Sequence, residues 1–188
     1  MANKMTVALT KEQYEEILNT MHEGGAGFRK NPRIATALVL EANLGLRIED
    51  ILELRLKDIV RDGNRYRLDI HEKKTGKKRT FTVPTEVYMY IENYCLKNKV
   101  SPRDRIFPIK ERGIQKYLQK VADYLGYKNI GTHSFRKYYA TDIYNQNGHD
   151  IALVQTLLQH TSAATTQRYI NISPEKVEDA IRGHIDLI

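Results

Sequence analysis

Four short stretches of the sequence carry side chains able to bind anions, transfer protons or attack an electrophile. NLGLRIED places Arg47 between two apolar segments, an awkward position for a long cation unless it faces a cleft. THSFRKYY places His133 and Arg136 three residues apart, so they share one face of a helix. LLQH ends at His160, and Tyr169 in TTQRYI follows nine residues later. Each fragment alone is compatible with ordinary surface residues, whereas their order and spacing together form a specific pattern.

Charge and composition indicate a protein that acts on a polyanion inside the cell. The formal net charge is +7 and the pI is about 9.4, which favours nucleic acid as partner first and an anionic membrane second. No apolar run approaches the roughly 20 residues that cross a bilayer, so no membrane partner is expected and the cytoplasm is the predicted location. The single cysteine, Cys95, excludes an internal disulfide and a multi-thiolate metal site.

Apolar periodicity, caps and breakers predict a mainly α fold with one small three-stranded antiparallel β-sheet (α+β). Thr10 and Gln13 have the spacing of a capping box. The stretch from DIV to RTFTV alternates polar and apolar residues around turns at Gly63 and Gly76, which predicts the sheet. Helices are expected at about residues 11–22, 32–44, 48–54, 85–98, 111–125, 133–147, 150–158, 162–169 and 174–184.

These motifs make the chain resemble the tyrosine recombinases, or phage integrase family. Catalytic domains of that family carry a G-L-R box with an acidic residue three positions after the arginine. A lysine in a β-hairpin follows, then an H-x-x-R box, a histidine or tryptophan, and the nucleophilic tyrosine. Here these stand in the same order as GLRIED, KKTGKKR, HSFR, LLQH and TTQRYI. The resemblance spans about residues 34–170 and implies the tyrosine recombinase catalytic-domain fold.

The resemblance implies that Tyr169 attacks a DNA phosphodiester, giving a 3′-phosphotyrosyl bond and a 5′-hydroxyl that later attacks back. The linkage conserves bond energy, so no ATP, metal ion or other cofactor is expected. Arg47 and Arg136 match the pair that stabilises charge on the non-bridging oxygens, a task that suits the planar, permanently charged guanidinium. Asp50 matches the acidic position of the first box and is expected to orient neighbouring side chains.

The other catalytic positions are also carried over from the family. His133 matches a proton acceptor or phosphate contact, and His160 matches a donor to a non-bridging oxygen. The hairpin lysine that protonates the leaving 5′-oxygen is assigned to Lys74 from its KTG context, with Lys73 and Lys77 left open. Residues predicted to contact DNA are Lys73, Lys77, Lys78, Arg79 and Lys137.

Three other functions fit the sequence less well than that of a recombinase. A non-catalytic DNA-binding module would explain the basic charge and the helices, but not the ordered set of catalytic residue types. A type IB topoisomerase shares the phosphotyrosyl chemistry, yet LLQH and the short chain fit recombinases better. A metal-dependent nuclease is disfavoured because the sequence has no acidic cluster of ligand type.

The resemblance also predicts the domain organisation. Residues 1–173 are assigned to the catalytic domain, and residues 174–188 to a helical tail that docks on a neighbouring protomer. The N-terminal DNA-clamping domain of most family members is not expected within this chain. The expected partners are double-stranded DNA and further copies in a tetramer on that DNA, for integration, excision or inversion. One departure from the family pattern is Gln159, which stands where a glycine usually precedes the histidine.

Overall fold

The computed structural model describes residues 6–71, 73, 76, 78–160 and 162–170. Their folded elements confirm the predicted mainly helical chain with one three-stranded sheet. They fall into two compact units, one ending at Tyr139 and the other starting at Ala140. The elements are α1 (Lys11–Glu23), α2 (Pro32–Leu44), α3 (Ile48–Ile51), β1 (Ile59–Asp62), β2 (Arg65–His71), β3 (Lys78–Val83), α4 (Thr85–Lys97), α5 (Glu111–Tyr124), α6 (Thr132–Gln146), α7 (Ile151–Leu158) and α8 (Ala163–Ile170).

The helix ends follow from local hydrogen bonds that the sequence encodes. The Gln13 N–H donates to Thr10 Oγ1 at 3.2 Å and the Thr10 N–H donates to Gln13 Oε1 at 3.1 Å, so the capping box is present. Asn31 caps α2 by accepting from the Ile34 N–H at 3.2 Å. Gly45 ends α2 in the left-handed conformation, at φ +58°, which glycine adopts without steric cost.

The third helix is shorter than predicted. We expected residues 48–54, but regular helix ends at Ile51. Beyond it the Glu53 N–H bonds to the Asp50 carbonyl and the Leu54 N–H to the Ile51 carbonyl. These three-residue spacings tighten the chain into a turn, followed by a 3₁₀ turn at Leu56–Asp58.

The sheet has the order β1-β2-β3 with both pairs antiparallel. Leu68 lies opposite Ile59 on β1 and opposite Phe81 on β3. Leu68 is fully buried, so the central strand contributes to the core. α4 packs on β2, where the Tyr66 and Tyr88 rings stack with centroids 3.7 Å apart.

The core of the first unit is built around α2. Leu38, Leu40 and Leu44 on this helix have no exposed surface or almost none, and α2 packs against α1 and α3. Such burial contributes about 1.5–3 kcal/mol for each large apolar side chain. Within the described part of the chain, no helix combines the length and apolar character needed to span a membrane.

Gly45→Ala is expected to destabilise the protein more than Gly63→Ala. Both glycines have positive φ, +58° and +65°, so each substitution carries a backbone cost of about 1–2 kcal/mol. A Cβ at Gly45 would also lie 2.4 Å from Cε1 of Tyr139, whereas one at Gly63 meets nothing within 4 Å. The overlap at Gly45 should add about 1–3 kcal/mol. Urea unfolding measures both free energies, and equal losses would contradict the packing argument.

Candidate active site

The loop after α2 is held by a buried arginine from α6. Arg136 has no exposed surface, and its Nη1 donates to the Gly45 carbonyl at 2.7 Å. Arg47, two residues beyond Gly45, is half-buried and precedes the first residue of α3. The structure therefore links the two predicted arginines through the backbone of one loop. Because Arg136 has no exposed surface, a phosphate contact by its guanidinium would require the groups that cover it to move, whereas Arg47 is already partly exposed.

The start of α6 is fixed by a local hydrogen-bond pair. The Gly131 N–H donates to Ser134 Oγ at 3.2 Å, and the Ser134 N–H donates to the Gly131 carbonyl at 2.9 Å. His133 is exposed while Ser134 and Phe135 beside it are fully buried. His133 thus lies at the solvent surface one helical turn before Arg136.

The β2–β3 hairpin is tied to α3 by Asp50. This carboxyl is 4% exposed, and its Oδ1 accepts from the Lys73 backbone N–H at 2.9 Å. Lys73 itself points its ammonium at Glu53, at 3.4 Å, and is exposed. Asp50 thus binds the hairpin backbone, and the orientation of neighbouring side chains predicted for it stays a prediction. Lys74, Lys77 and the side chain of Arg79 lie outside the described residues, so the predicted assignment of the general acid to Lys74 stays a prediction.

The two remaining predicted DNA contacts differ in exposure. Lys78, at the start of β3, is exposed. Lys137 is 8% exposed and donates through Nζ to the Thr6 carbonyl, and burial lowers the pKa of its ammonium. A DNA contact by Lys137 would therefore require this side chain to leave its position.

In the second unit, His160 and Tyr169 lie side by side. Their ring centroids are 4.7 Å apart in an edge-to-face arrangement at 65°. Thr166, which is fully buried, shares a hydrogen bond of 3.1 Å with Nδ1 of His160. This bond engages one ring nitrogen and orients the imidazole. The hydroxyl of Thr141 donates to the Tyr169 carbonyl at 3.4 Å, which links α8 to α6 within this unit.

Gln159 takes the backbone path that a glycine would take. It ends α7 at φ 52° and ψ 38°, in the left-handed region. The next residue, His160, is held at both backbone groups by Gln155: its N–H donates to the Gln155 carbonyl at 3.1 Å, and its carbonyl accepts from Gln155 Nε2 at 3.2 Å. The departure from the family pattern at Gln159 leaves the turn before His160 in place.

Gln159→Gly is expected to stabilise the protein by about 0.5–1 kcal/mol, because glycine removes left-handed strain of about 1–2 kcal/mol and adds back part of it as chain entropy. Gln167→Gly is the matched control, since Gln167 is exposed within α8 and should lose about 1 kcal/mol. Thermal unfolding of both variants tests this. If the Gln159→Gly variant is no more stable than the wild type, the claim that Gln159 carries backbone strain is wrong.

Two residues near the predicted site were missed from the sequence. Thr166 orients His160, and nothing in TTQRYI distinguishes it from Thr165. Glu41 lies fully buried on α2. The sequence feature that could have revealed it is a single acidic residue within the apolar run ALVLEANL. Among the described residues, no group of three His, Cys, Asp or Glu side chains is arranged to hold a metal ion.

Comparison with known proteins gives consistent matches. A model of the Phage integrase family matches residues 8–176. "Probable integrase/recombinase YoeC" of Bacillus subtilis is 34% identical over 161 residues, which cover 81% of this chain and 85% of YoeC. A crystal structure of the site-specific recombinase XerH bound to its difH substrate superposes with a TM-score of 0.72 at 22% identity, covering 96% of this chain and 53% of XerH. The catalytic domain of bacteriophage HP1 integrase superposes with a TM-score of 0.61 at 16% identity, and the match covers 95% of each chain. These superpositions confirm the predicted catalytic-domain fold.

Proposed function

Because the chain belongs to the phage integrase family, we propose that it is a site-specific DNA recombinase that cleaves and rejoins strands through a 3′-phosphotyrosyl bond to Tyr169. The observation that carries this proposal is the contact between the Tyr169 and His160 rings, 4.7 Å apart, with His160 oriented by Thr166. A tyrosine beside an oriented imidazole suits nucleophilic attack assisted by hydrogen bonding.

Tyr169 forms a bond from its hydroxyl oxygen to phosphorus, and the bond from phosphorus to the 5′-oxygen breaks. The leaving oxygen takes a proton from the hairpin lysine, assigned to Lys74, while the tyrosine proton passes to a base such as His133. Arg47 and Arg136 bind the non-bridging oxygens, where negative charge accumulates in the transition state. A 5′-hydroxyl then attacks the phosphotyrosyl bond and restores the tyrosine, so the phosphodiester energy is retained without ATP.

Double-stranded DNA is the partner that the comparisons and the charge both support. XerH was solved bound to its difH substrate, and the Tn1549 transposon integrase was solved in complex with circular intermediate DNA. This chain has a net charge of +7. All three relatives described above are recombinases or integrases, so neither the binding-module nor the topoisomerase alternative gains support. The biological outcome is integration, excision or inversion of DNA.

The organisation of the active assembly follows from the same family membership. The chain spans 85% of YoeC and 53% of XerH. We assign residues 1–173 to the catalytic domain and residues 174–188 to a tail that docks on a neighbouring protomer. The described residues end at residue 170, so this tail lies outside them. Four copies act together on DNA, since strand exchange joins ends from two duplexes.

Covalent attachment to DNA tests the proposed function. Nicked duplexes drawn from the DNA that flanks the gene let the short 5′-product diffuse away, which traps the protein on the 3′-end. After denaturation in SDS, labelled DNA should migrate with the protein, and peptide mass analysis should place the phosphodiester on Tyr169. Specific DNA binding without any adduct would reject the recombinase activity, and an adduct on another residue would reject Tyr169 as nucleophile.

A further inference from the structure

The apolar centre of α2 contains one acidic side chain that the mechanism above does not use. Glu41 has no exposed surface. Neither of its carboxylate oxygens has a hydrogen-bond partner among the residues that the structure describes. An ionised carboxylate in such surroundings carries a large desolvation cost unless a positive charge lies nearby.

Three groups from three helices act on this carboxyl. The Arg136 guanidinium of α6 favours the ionised form, Glu111 at the start of α5 disfavours it, and the Ile48 N–H at the start of α3 favours it without reaching hydrogen-bond geometry. Burial is the largest influence and raises the pKa of Glu41 well above its usual range. The uncharged carboxyl is therefore the favoured form over a wider pH range than in an exposed glutamate.

Glu41 and Arg136 are also joined through one glycine. The Gly45 N–H donates to the Glu41 backbone carbonyl at 3.1 Å, and the Gly45 carbonyl accepts from Arg136 Nη1 at 2.7 Å. Arg136 is itself fully buried, and charges in a poorly solvated interior interact more strongly than charges in water. A change in the charge of Glu41 will therefore change its electrostatic interaction with the Arg136 guanidinium, which is hydrogen-bonded to the Gly45 carbonyl.

We propose that Glu41 is a positioning residue for Arg136: uncharged, it leaves the guanidinium charge to the DNA phosphate, and ionised, it draws that charge into an internal ion pair. This inference rests on the proposed function, in which Arg136 binds a non-bridging oxygen. If so, the rate of DNA cleavage depends on proton binding at Glu41, a residue that does not contact DNA. Only a proton exchanged with solvent is involved, so no bond of the substrate changes.

The sign of the pH dependence follows from the raised pKa. Between the ordinary glutamate pKa and the higher value in the folded protein, the folded state holds a proton that the unfolded chain has lost. The stability contributed by the uncharged form is complete at low pH and declines as pH rises through this window. Within the folded protein Glu41 ionises only as pH rises through its own raised pKa, so the ion pair with Arg136 forms at the upper end of this window and above it.

The first test compares single-turnover cleavage by Glu41→Gln and the wild type on the same nicked duplex. Glutamine keeps the shape of the uncharged acid, and the ratio of the two rates cancels the titration of groups common to both proteins. The ratio should stay flat at low pH and then rise by up to about tenfold for each pH unit above the Glu41 pKa. Glu23→Gln, at an exposed glutamate ending α1, should give a flat ratio throughout. A flat ratio for Glu41→Gln overturns the proposal.

The second test does not depend on cleavage. Carboxyl ¹³C NMR of the intact protein follows the titration of Glu41, with the resonance assigned by its loss in Glu41→Gln. Arg136→Gln removes the charge that favours ionisation, so the Glu41 midpoint should move upward. An unchanged midpoint overturns the proposal. If the wild type forms no covalent adduct at all, the recombinase activity fails, and the NMR titration still decides whether the two residues are coupled.

Discussion

Tyr169→Phe is expected to abolish covalent attachment to DNA, with a loss of more than about 10³-fold in cleavage. The substitution removes only the hydroxyl that attacks phosphorus. The phenyl ring keeps its place at the edge of His160, 4.7 Å away between centroids, so stability and DNA affinity should change little. Gel analysis of labelled nicked duplex after SDS denaturation measures the adduct.

Tyr144→Phe is the matched control for this prediction. Tyr144 lies on α6 in the same unit and packs its ring against His149, with centroids 4.9 Å apart. Loss of its hydroxyl should leave adduct formation unchanged. If Tyr169→Phe still forms the adduct, the nucleophile is another residue. If both variants lose it, the loss reflects damage to the fold and not to the chemistry.

Arg136→Lys is expected to lower single-turnover cleavage by about 10²–10³-fold. Lysine keeps the positive charge but has one donor centre, whereas the guanidinium presents a fork of donors. In the structure one of those donors is used on the Gly45 carbonyl. A lysine at this buried position cannot hold that carbonyl and contact two phosphate oxygens in the same geometry. Rates at saturating protein separate this effect from weaker DNA binding.

Arg112→Lys serves as the control for that substitution. Arg112 is exposed on the first turn of α5, and the same chemical change there should leave the saturated rate unaltered. Arg136→Lys cleaving at the wild-type rate would show that a point charge is sufficient at this position. The assignment of Arg136 to the non-bridging oxygens would then need to be withdrawn.

Features encoded within a few residues could be predicted from the sequence. The capping box at Thr10, the stop at Gly45 and the cap at Asp150, whose Oδ1 accepts from the Leu153 N–H at 2.9 Å, all depend on local geometry. The order of the catalytic motifs also allowed the family to be predicted from the sequence, because the motifs stand in the order that the family shows. The same local signals overestimated α3, since they do not include the competing turn bonds at Glu53 and Leu54.

Features that depend on packing between distant segments could not be predicted. The sequence does not show that Arg136 is buried or that it donates to the Gly45 carbonyl, because Gly45 is 91 residues away. Lys137 reads as a DNA contact, and its acceptor at Thr6 is 131 residues away. The hydrogen bond between Thr166 and His160 spans only six residues, but it needs the left-handed turn at Gln159, a conformation that glutamine rarely adopts.

The contact between Lys137 and the Thr6 carbonyl sets a limit for anyone trimming or fusing this chain. The Val7 N–H also bonds to the Asn129 carbonyl, at 3.1 Å, so residues 6 and 7 are fastened next to α6. Removing Thr6 would take the acceptor from a buried ammonium. A domain joined ahead of it would pull directly on the helix that carries His133 and Arg136. Mechanical load applied at that junction would reach this helix through the Lys137 contact, and the core through Leu9, which is 5% exposed.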